Sequence, residues 1–186
     1  MSESIQTERL DLISMTPTFL RASLEFNLLE AERELQLLLP RDWPGDTAKV
    51  LSLRLKALEE EPALQPWLLR AMVRRATGAM VGYIGFHTAP DAEYLQPYVP
   101  GGVEFGFRVF PSFRRQGFAR EAAVALMRWA RNTQGVRSFA MTIRPNNLPS
   151  QALATQLGFV RIGSHIDVVD GLEDILEYRV SNEDTA

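Results

Sequence analysis

The chain contains no cysteine. Disulfides, zinc–thiolate sites and a cysteine acyl-enzyme are therefore excluded. Histidine is scarce too: His87 and His165 are the only two, and they lie too far apart to form a local metal motif. Neither Gly-x-x-x-x-Gly-Lys-Ser/Thr nor Gly-x-Gly-x-x-Gly occurs, which argues against a P-loop or dinucleotide-binding enzyme. No apolar run reaches the roughly 18 residues of a membrane span. Met1-Ser2-Glu3-Ser4 has no basic segment followed by an apolar one, so a secretory leader is not expected. Positive charge is not in excess. The formal net charge is −3 and the pI is about 5.5. General nucleic-acid binders are usually basic as domains, so that class is set aside, although a local basic groove stays open. The expectation is a cytoplasmic protein without a nucleic-acid or membrane partner.

What the chain does have is apolar content. Of its 186 residues, 46% are hydrophobic, enough for a sizeable core. One domain over 1–186 is predicted, with a core over about 7–180 and a polar tail over 181–186. Thr7 to Ile13 reads as a short half-buried strand. Thr16-Pro17 reads as a helix cap and first position, followed by one helix and part of a second to about Glu34. Pro40 to Asp46 is a loop, and Thr47 is expected to cap a helix through about Glu60. Leu68–Arg75 and Met80–Phe86 read as a hairpin joined at Thr77-Gly78, with Gly82 and Gly85 marking a bulge or close approach. A long polar loop follows, from His87 to Gly102.

Val103 to Val109 alternates cleanly. Val103, Phe105, Phe107 and Val109 fall on one face, and Glu104, Gly106 and Arg108 on the other. Arg114-Arg115-Gln116-Gly117-Phe118-Ala119 comes next and opens an alanine-rich helix to about Asn132. Ala119, Ala122, Ala123, Leu126 and Ala130 form its buried stripe; Arg120, Glu121, Arg128 and Arg131 face away. A strand, a glycine turn and a helix start make an anion cradle, because the first helical amides lack intrahelical acceptors and carry the positive end of the dipole. The arginines add planar donors suited to phosphate. Arg137–Ile143 is a further strand. Asn147 to Gly158 is a short helix with a glycine stop, and Val160–Val168 with Leu176–Val180 make a final hairpin around Asp170-Gly171. The order of elements gives an α+β (α/β) class with a mixed, mainly antiparallel sheet flanked by helices.

Arg114-x-x-Gly117-x-Ala119 after Val109-Phe110-Pro111, with Asn147…Gly158-Phe159 downstream, resembles the GCN5-related N-acetyltransferase (GNAT) superfamily. The resemblance covers residues 7–180. The opening TERLDL, the Gly82-Tyr83-Ile84-Gly85 strand and Asn147-x-x-Ser150 are most similar to the RimJ/RimL-type branch that acetylates protein N-termini. It implies acetyl-CoA as donor and no metal. It implies that the backbone over Arg114, Arg115, Gln116, Gly117, Phe118 and Ala119, with Arg120, holds the pyrophosphate. Phe107, Arg108 and Val109 would follow the pantetheine, Asn147 would bond the same arm, and the Val109 amide would meet the oxyanion. The strand near Phe139 to Ile143 would splay from its neighbour to admit the thioester.

Amide formation from a thioester needs a neutral amine, and amines titrate near ~8 (α-amino) to ~10.4 (lysine). A base is therefore required most for lysine. Glu104 is the preferred base, directly or through a water; its competing role is a surface glutamate paired with Arg108. Much of the family has a tyrosine four residues before the glycine of the Gly-Phe pair, where Ala154 stands here. Ser150 is the nearest hydroxyl by analogy for protonating the thiolate, and its competing role is helix capping. Trp43, His87 and the 87–102 loop are the candidates for the acceptor pocket, against packing for Trp43 and a plain loop position for His87. The expected function is acetyl transfer to an amine acceptor in a ternary complex. The alternative is a CoA-binding sensor or scaffold. A homodimer stays open.

Overall fold

In the first strands, alternation places leucines inward. Leu10 and Leu12 have no exposed surface and fall two apart in β2 (Leu10–Ser14). The computed structural model describes residues 4–167 and 171–181. β1 (Ile5–Gln6) pairs antiparallel with β2, β2 with β3 (Arg70–Arg74), and β3 with β4 (Ala79–Phe86). The register shifts after Met72, opposite Gly82. A Cβ at Gly82 would strike the carbonyl of Arg108, and one at Gly85 would strike the backbone of Leu68 and Leu69. The expected bulge and close approach are both present.

α1 (Pro17–Leu24) begins as predicted: the Thr16 hydroxyl accepts from the Phe19 amide at 3.1 Å. α2 (Leu28–Leu35) has Asn27 as its cap. α3 (Ala48–Glu60) departs from prediction, because Thr47 makes no side-chain capping bond. Thr47 is 2% exposed, and its hydroxyl is a hydrogen-bond partner of Tyr83. Burial offered the hydroxyl a tertiary partner in place of the helix amides.

β5 (Val103–Val109) precedes α4 (Phe118–Gln134), β6 (Ser138–Ile143), α5 (Leu148–Gln156), β7 (Val160–Asp167) and β8 (Gly171–Arg179). The strand order is β1-β2-β3-β4-β5-β6-β8-β7. β5 and β6 are parallel; the pairs β6–β8 and β7–β8 are antiparallel. This is the predicted mixed, mostly antiparallel α+β fold. Val168 and Asp170 of the predicted last hairpin, and 182–186 of the tail, lie outside the described residues.

The chain divides into two compact units. One takes the chain to Gly85 together with Phe107–Ala125. Its core joins Phe19, Leu20, Trp43, Leu51, Leu58, Leu68 and Val73. Each such side chain contributes about 1.5–3 kcal/mol on burial. The other takes Phe86–Gly106 and the chain from Leu126 onward. Aromatic rings fill it: Phe86 lies 6.2 Å from Phe105 and 6.5 Å from Phe139, and Phe159 lies 6.0 Å from Phe105 and 5.7 Å from Tyr178.

Candidate functional site

In the first unit, β5 ends at Val109 and the chain turns through Pro111–Phe113 into α4. Two residues of this turn have positive φ, Arg115 at 58° and Gly117 at 83°. For Arg115 that conformation costs on the order of 1–2 kcal/mol, a strain of the kind stored at ligand sites. The first helical bond runs from the Glu121 amide to the Gly117 carbonyl at 3.0 Å. The amides of the preceding turn thus have no carbonyl within the helix.

The residues present suit a diphosphate. Gly117 is exposed, and a Cβ there would project into the turn, 3.3 Å from Arg9 Nη2. Arg114, Arg115, Gln116 and Arg120 are exposed around it. Arg114 also shapes the turn, donating from Nε to the Val109 carbonyl at 3.0 Å. Phe118 is 3% exposed, so it has backbone rather than side chain to offer a ligand.

The sequence reading missed what holds this turn. Arg9 Nε donates to Glu121 Oε2 at 2.7 Å, Arg9 Nη1 donates to the Gln116 carbonyl at 3.0 Å, and the guanidinium lies 4.7 Å from the Phe118 ring centroid. The Thr7 hydroxyl and the Arg9 amide donate to Glu121 Oε1 at 2.6 and 2.8 Å. Glu121 was expected to face away; it is instead the anchor. Burial alone would raise its pKa, but the Thr7 and Arg9 bonds overcome this and lower it. Arg9 and Glu121 stand 112 residues apart, a pairing that no local pattern announces.

Arg108 is held by Asp46, with Nη2 donating to Oδ2 at 2.5 Å. The pairing of Arg108 with Glu104 considered from sequence is thereby replaced. Trp43 is corrected as well. It is 3% exposed, its indole donates to Ser23 Oγ at 2.9 Å, and its ring packs 6.1 Å from both Phe19 and Phe110. It is a core residue with no face for an acceptor.

The second unit carries Glu104, His87, Asn147 and Ser150. Glu104 is 4% exposed. Phe105 packs among the aromatic rings, and Glu104 points the other way into a polar cluster. Tyr94 donates to its Oε2 at 2.9 Å, the Thr142 hydroxyl donates to Oε1, and His87 Nδ1 lies 3.2 Å from Oε2. The His87 amide also donates to the Glu104 carbonyl at 2.9 Å. Burial would raise the carboxyl's pKa. The His87 hydrogen bond and charge, then the two hydroxyls, outweigh that and hold it at about 2.

Asn147, not Ser150, caps α5: its Oδ1 accepts from the Ser150 amide at 3.4 Å. The capping role weighed for Ser150 falls away. Ala154 is fully buried, leaving no hydroxyl at that position. β5 pairs with β6 at Val103↔Phe139 and Glu104↔Ala140. Among the described residues no group of three or more His, Asp or Glu is placed to hold a metal ion, and no helix is long and apolar enough to cross a membrane.

Residues 9–160 match the family model described as an acetyltransferase (GNAT) domain. The chain belongs to that family: it is an acetyl-CoA-dependent acyltransferase of the GNAT type. It is similar to the aminoglycoside N(6')-acetyltransferase type 1 of Salmonella typhimurium, with 33% identity over 125 residues, 63% of this chain and 77% of the relative. Its fold is shared with an acetyltransferase of Agrobacterium tumefaciens, at TM-score 0.64 and 23% identity, over 97% of this chain and 96% of that one. The same holds for RimL, a ribosomal alpha-N-protein acetyltransferase solved in complex with coenzyme A, at TM-score 0.64 and 17% identity, over 96% and 98% of the two chains.

Proposed function

We propose that this protein transfers the acetyl group of acetyl-CoA to a primary amine, of a protein N-terminus or a small molecule, by direct attack in a ternary complex. The observation that carries the reading is the turn at 114–119, with positive φ at Arg115 and Gly117 directly before a 17-residue helix. Acetyl-CoA supplies an activated thioester. The chain's residues bind and orient it: backbone amides and arginines at the turn for the pyrophosphate, Phe107–Val109 and Asn147 for the pantetheine arm. The Val109 amide is assigned to the developing oxyanion and the Ser150 hydroxyl to the leaving sulfur. The absence of cysteine closes a thioester relay through the enzyme. Amine acceptors are supported by the names of the similar proteins, an aminoglycoside N-acetyltransferase and an alpha-N-protein acetyltransferase.

Calorimetry with coenzyme A tests the donor site. Gly117→Glu places a carboxylate in the cradle and is expected to weaken affinity at least tenfold; unchanged affinity removes the assignment. Acetyl-CoA consumption is then measured with kanamycin A, spermidine, lysine and an unblocked hexapeptide. Turnover of one supports acetyl transfer to an amine. Binding without turnover of any supports a CoA sensor instead.

A further inference from the structure

We propose that the side chain of Arg108 is the docking point for a carboxylate carried by the acceptor, and that Asp46 is a placeholder which such a carboxylate displaces. This rests on the acetyl-transfer reading above and narrows its acceptor to an amine that also bears a carboxylate, such as an amino acid or a dipeptide.

Of the two partners, the arginine is fixed and the aspartate is loose. Gly82 of β4 packs directly on the Arg108 backbone, where a Cβ would strike the carbonyl. The next residue of β4, Tyr83, is 8% exposed. Its hydroxyl accepts from the Arg108 guanidinium and also bonds the buried Thr47 hydroxyl. Burial, the largest influence on Tyr83, raises its pKa, so the phenol stays neutral. It aims the guanidinium without cancelling its charge. The countercharge comes from Asp46 alone among the described ion pairs of Arg108, with Nη2 to Oδ2 at 2.5 Å.

Asp46 is 72% exposed at its side chain, against 34% for Arg108. It sits in a closed turn, with the Thr47 amide donating to the Pro44 carbonyl at 2.9 Å. Pro44 before it and Thr47 after it are buried. The backbone therefore stays in place while the exposed carboxylate is free to rotate away, a motion of picoseconds to nanoseconds for such side chains. Ion pairs between exposed groups contribute little net stability, so a ligand carboxylate competes with Asp46 on nearly even terms. The guanidinium fork offers five donors in a plane that matches a carboxylate. Asp46 and Tyr83 leave part of that fork for a bidentate bond, which is stronger than a single one. The chemistry of the ligand is thus already displayed by its placeholder.

The place of Arg108 suits an acceptor. The main chain of Phe107–Val109 is assigned to the pantetheine arm, and the Val109 amide to the oxyanion. Alternation sends the Arg108 side chain away from those of its two neighbours. The backbone of this residue can follow the donor while its guanidinium meets the acceptor. A carboxylate held there keeps the attached amine a few bonds from the residue that receives the acetyl oxygen. Asp46, Thr47, Tyr83 and Arg108 all belong to the first compact unit.

Acetyl-CoA consumption with matched acceptors tests this. Glycine, lysine and glycylglycine are each compared with the corresponding carboxamide, with rates corrected for the neutral fraction of the amine. The parent is expected to prefer at least one acid over its amide by about tenfold or more in kcat/KM. Asp46→Asn is expected to lower the KM for that acid several-fold, because the competitor is gone. Arg108→Gln is expected to bring the ratio of acid to amide close to one, and Arg108→Lys to restore part of it. A parent that shows no preference for any acid overturns the proposal and leaves acetyl transfer standing. So does a preference that neither Asp46→Asn nor Arg108→Gln changes, which would make the ion pair a purely structural contact. Asp46→Asn that instead raises KM for lysinamide and spermidine also overturns it, since Asp46 would then be the docking point for a second ammonium. A parent that binds coenzyme A but acetylates none of these amines, nor any of the earlier panel, overturns the acetyl-transfer reading and this proposal with it.

Discussion

Glu104 shows how burial and bonding compete on one carboxylate. Its side chain is 4% exposed, yet its donors win and its pKa falls from 4.5 to about 2. A depressed carboxyl contributes stability that is fully present above the unfolded value and lost as pH falls through the folded one. The contribution is on the order of 3 kcal/mol, and its loss falls between about pH 4.5 and 2. Urea unfolding at pH 5, 4 and 3 should show stability falling steeply in the parent and less so in Glu104→Gln; parallel curves would contradict the account. From the sequence, alternation in Val103–Val109 was enough to single out Glu104. Its partner was not legible. Arg108 was the near candidate, two residues along the same face, but Asp46 captures it at 2.5 Å. His87 meets Glu104 across a backbone bond from its amide to the Glu104 carbonyl at 2.9 Å, and which segments pair in this way is not written in either segment alone.

Among the elements, those with local signals were legible. Thr16-Pro17 caps and starts α1, and Gly158 at φ 85° stops α5, with the Phe159 amide bonded to the Ala154 carbonyl at 2.9 Å. Thr47 carried the same kind of signal and misled, because a buried tyrosine took its hydroxyl. The turn before α4 was legible as a cradle, but its brace was not, since Arg9 comes from β1–β2. Arg9→Ala removes the guanidinium's bonds to Glu121 Oε2 and to the Gln116 carbonyl and keeps the backbone amide's bond to Glu121 Oε1. Arg9 is 44% exposed, so the stability cost is small, on the order of 1 kcal/mol. The larger effect falls on the ligand, because a turn with two positive-φ residues loses its support. Calorimetry should find coenzyme A affinity lowered several-fold with the circular dichroism spectrum unchanged. Full affinity would show that the turn holds its own shape.

For the whole molecule, the order of strands and helices gave the α+β class and the mostly antiparallel sheet, because alternation and helical spacing are separable periods. The division into two compact units was hidden, since β4, β5 and α4 run through both without any break in composition. Net charge is likewise a poor guide to the ligand. The chain carries −3 overall, while Arg114, Arg115 and Arg120 are exposed around one turn. A polyanion bound by such a local patch feels screening. Raising sodium chloride from 0.05 to 0.5 M should weaken coenzyme A binding several-fold by calorimetry; a flat response would mean that backbone amides, rather than arginines, supply the affinity.

The bracing of the 114–119 turn by Arg9 has a thermodynamic corollary. If coenzyme A steadies the turn, it steadies the bend between β1 and β2 that braces it, and coupling of this kind is reciprocal. The anchoring of β1 and β2 and the occupancy of the donor site then form one equilibrium seen from two ends. A change that loosens the first strands costs donor affinity by the same factor that the donor, once bound, returns to them as protection.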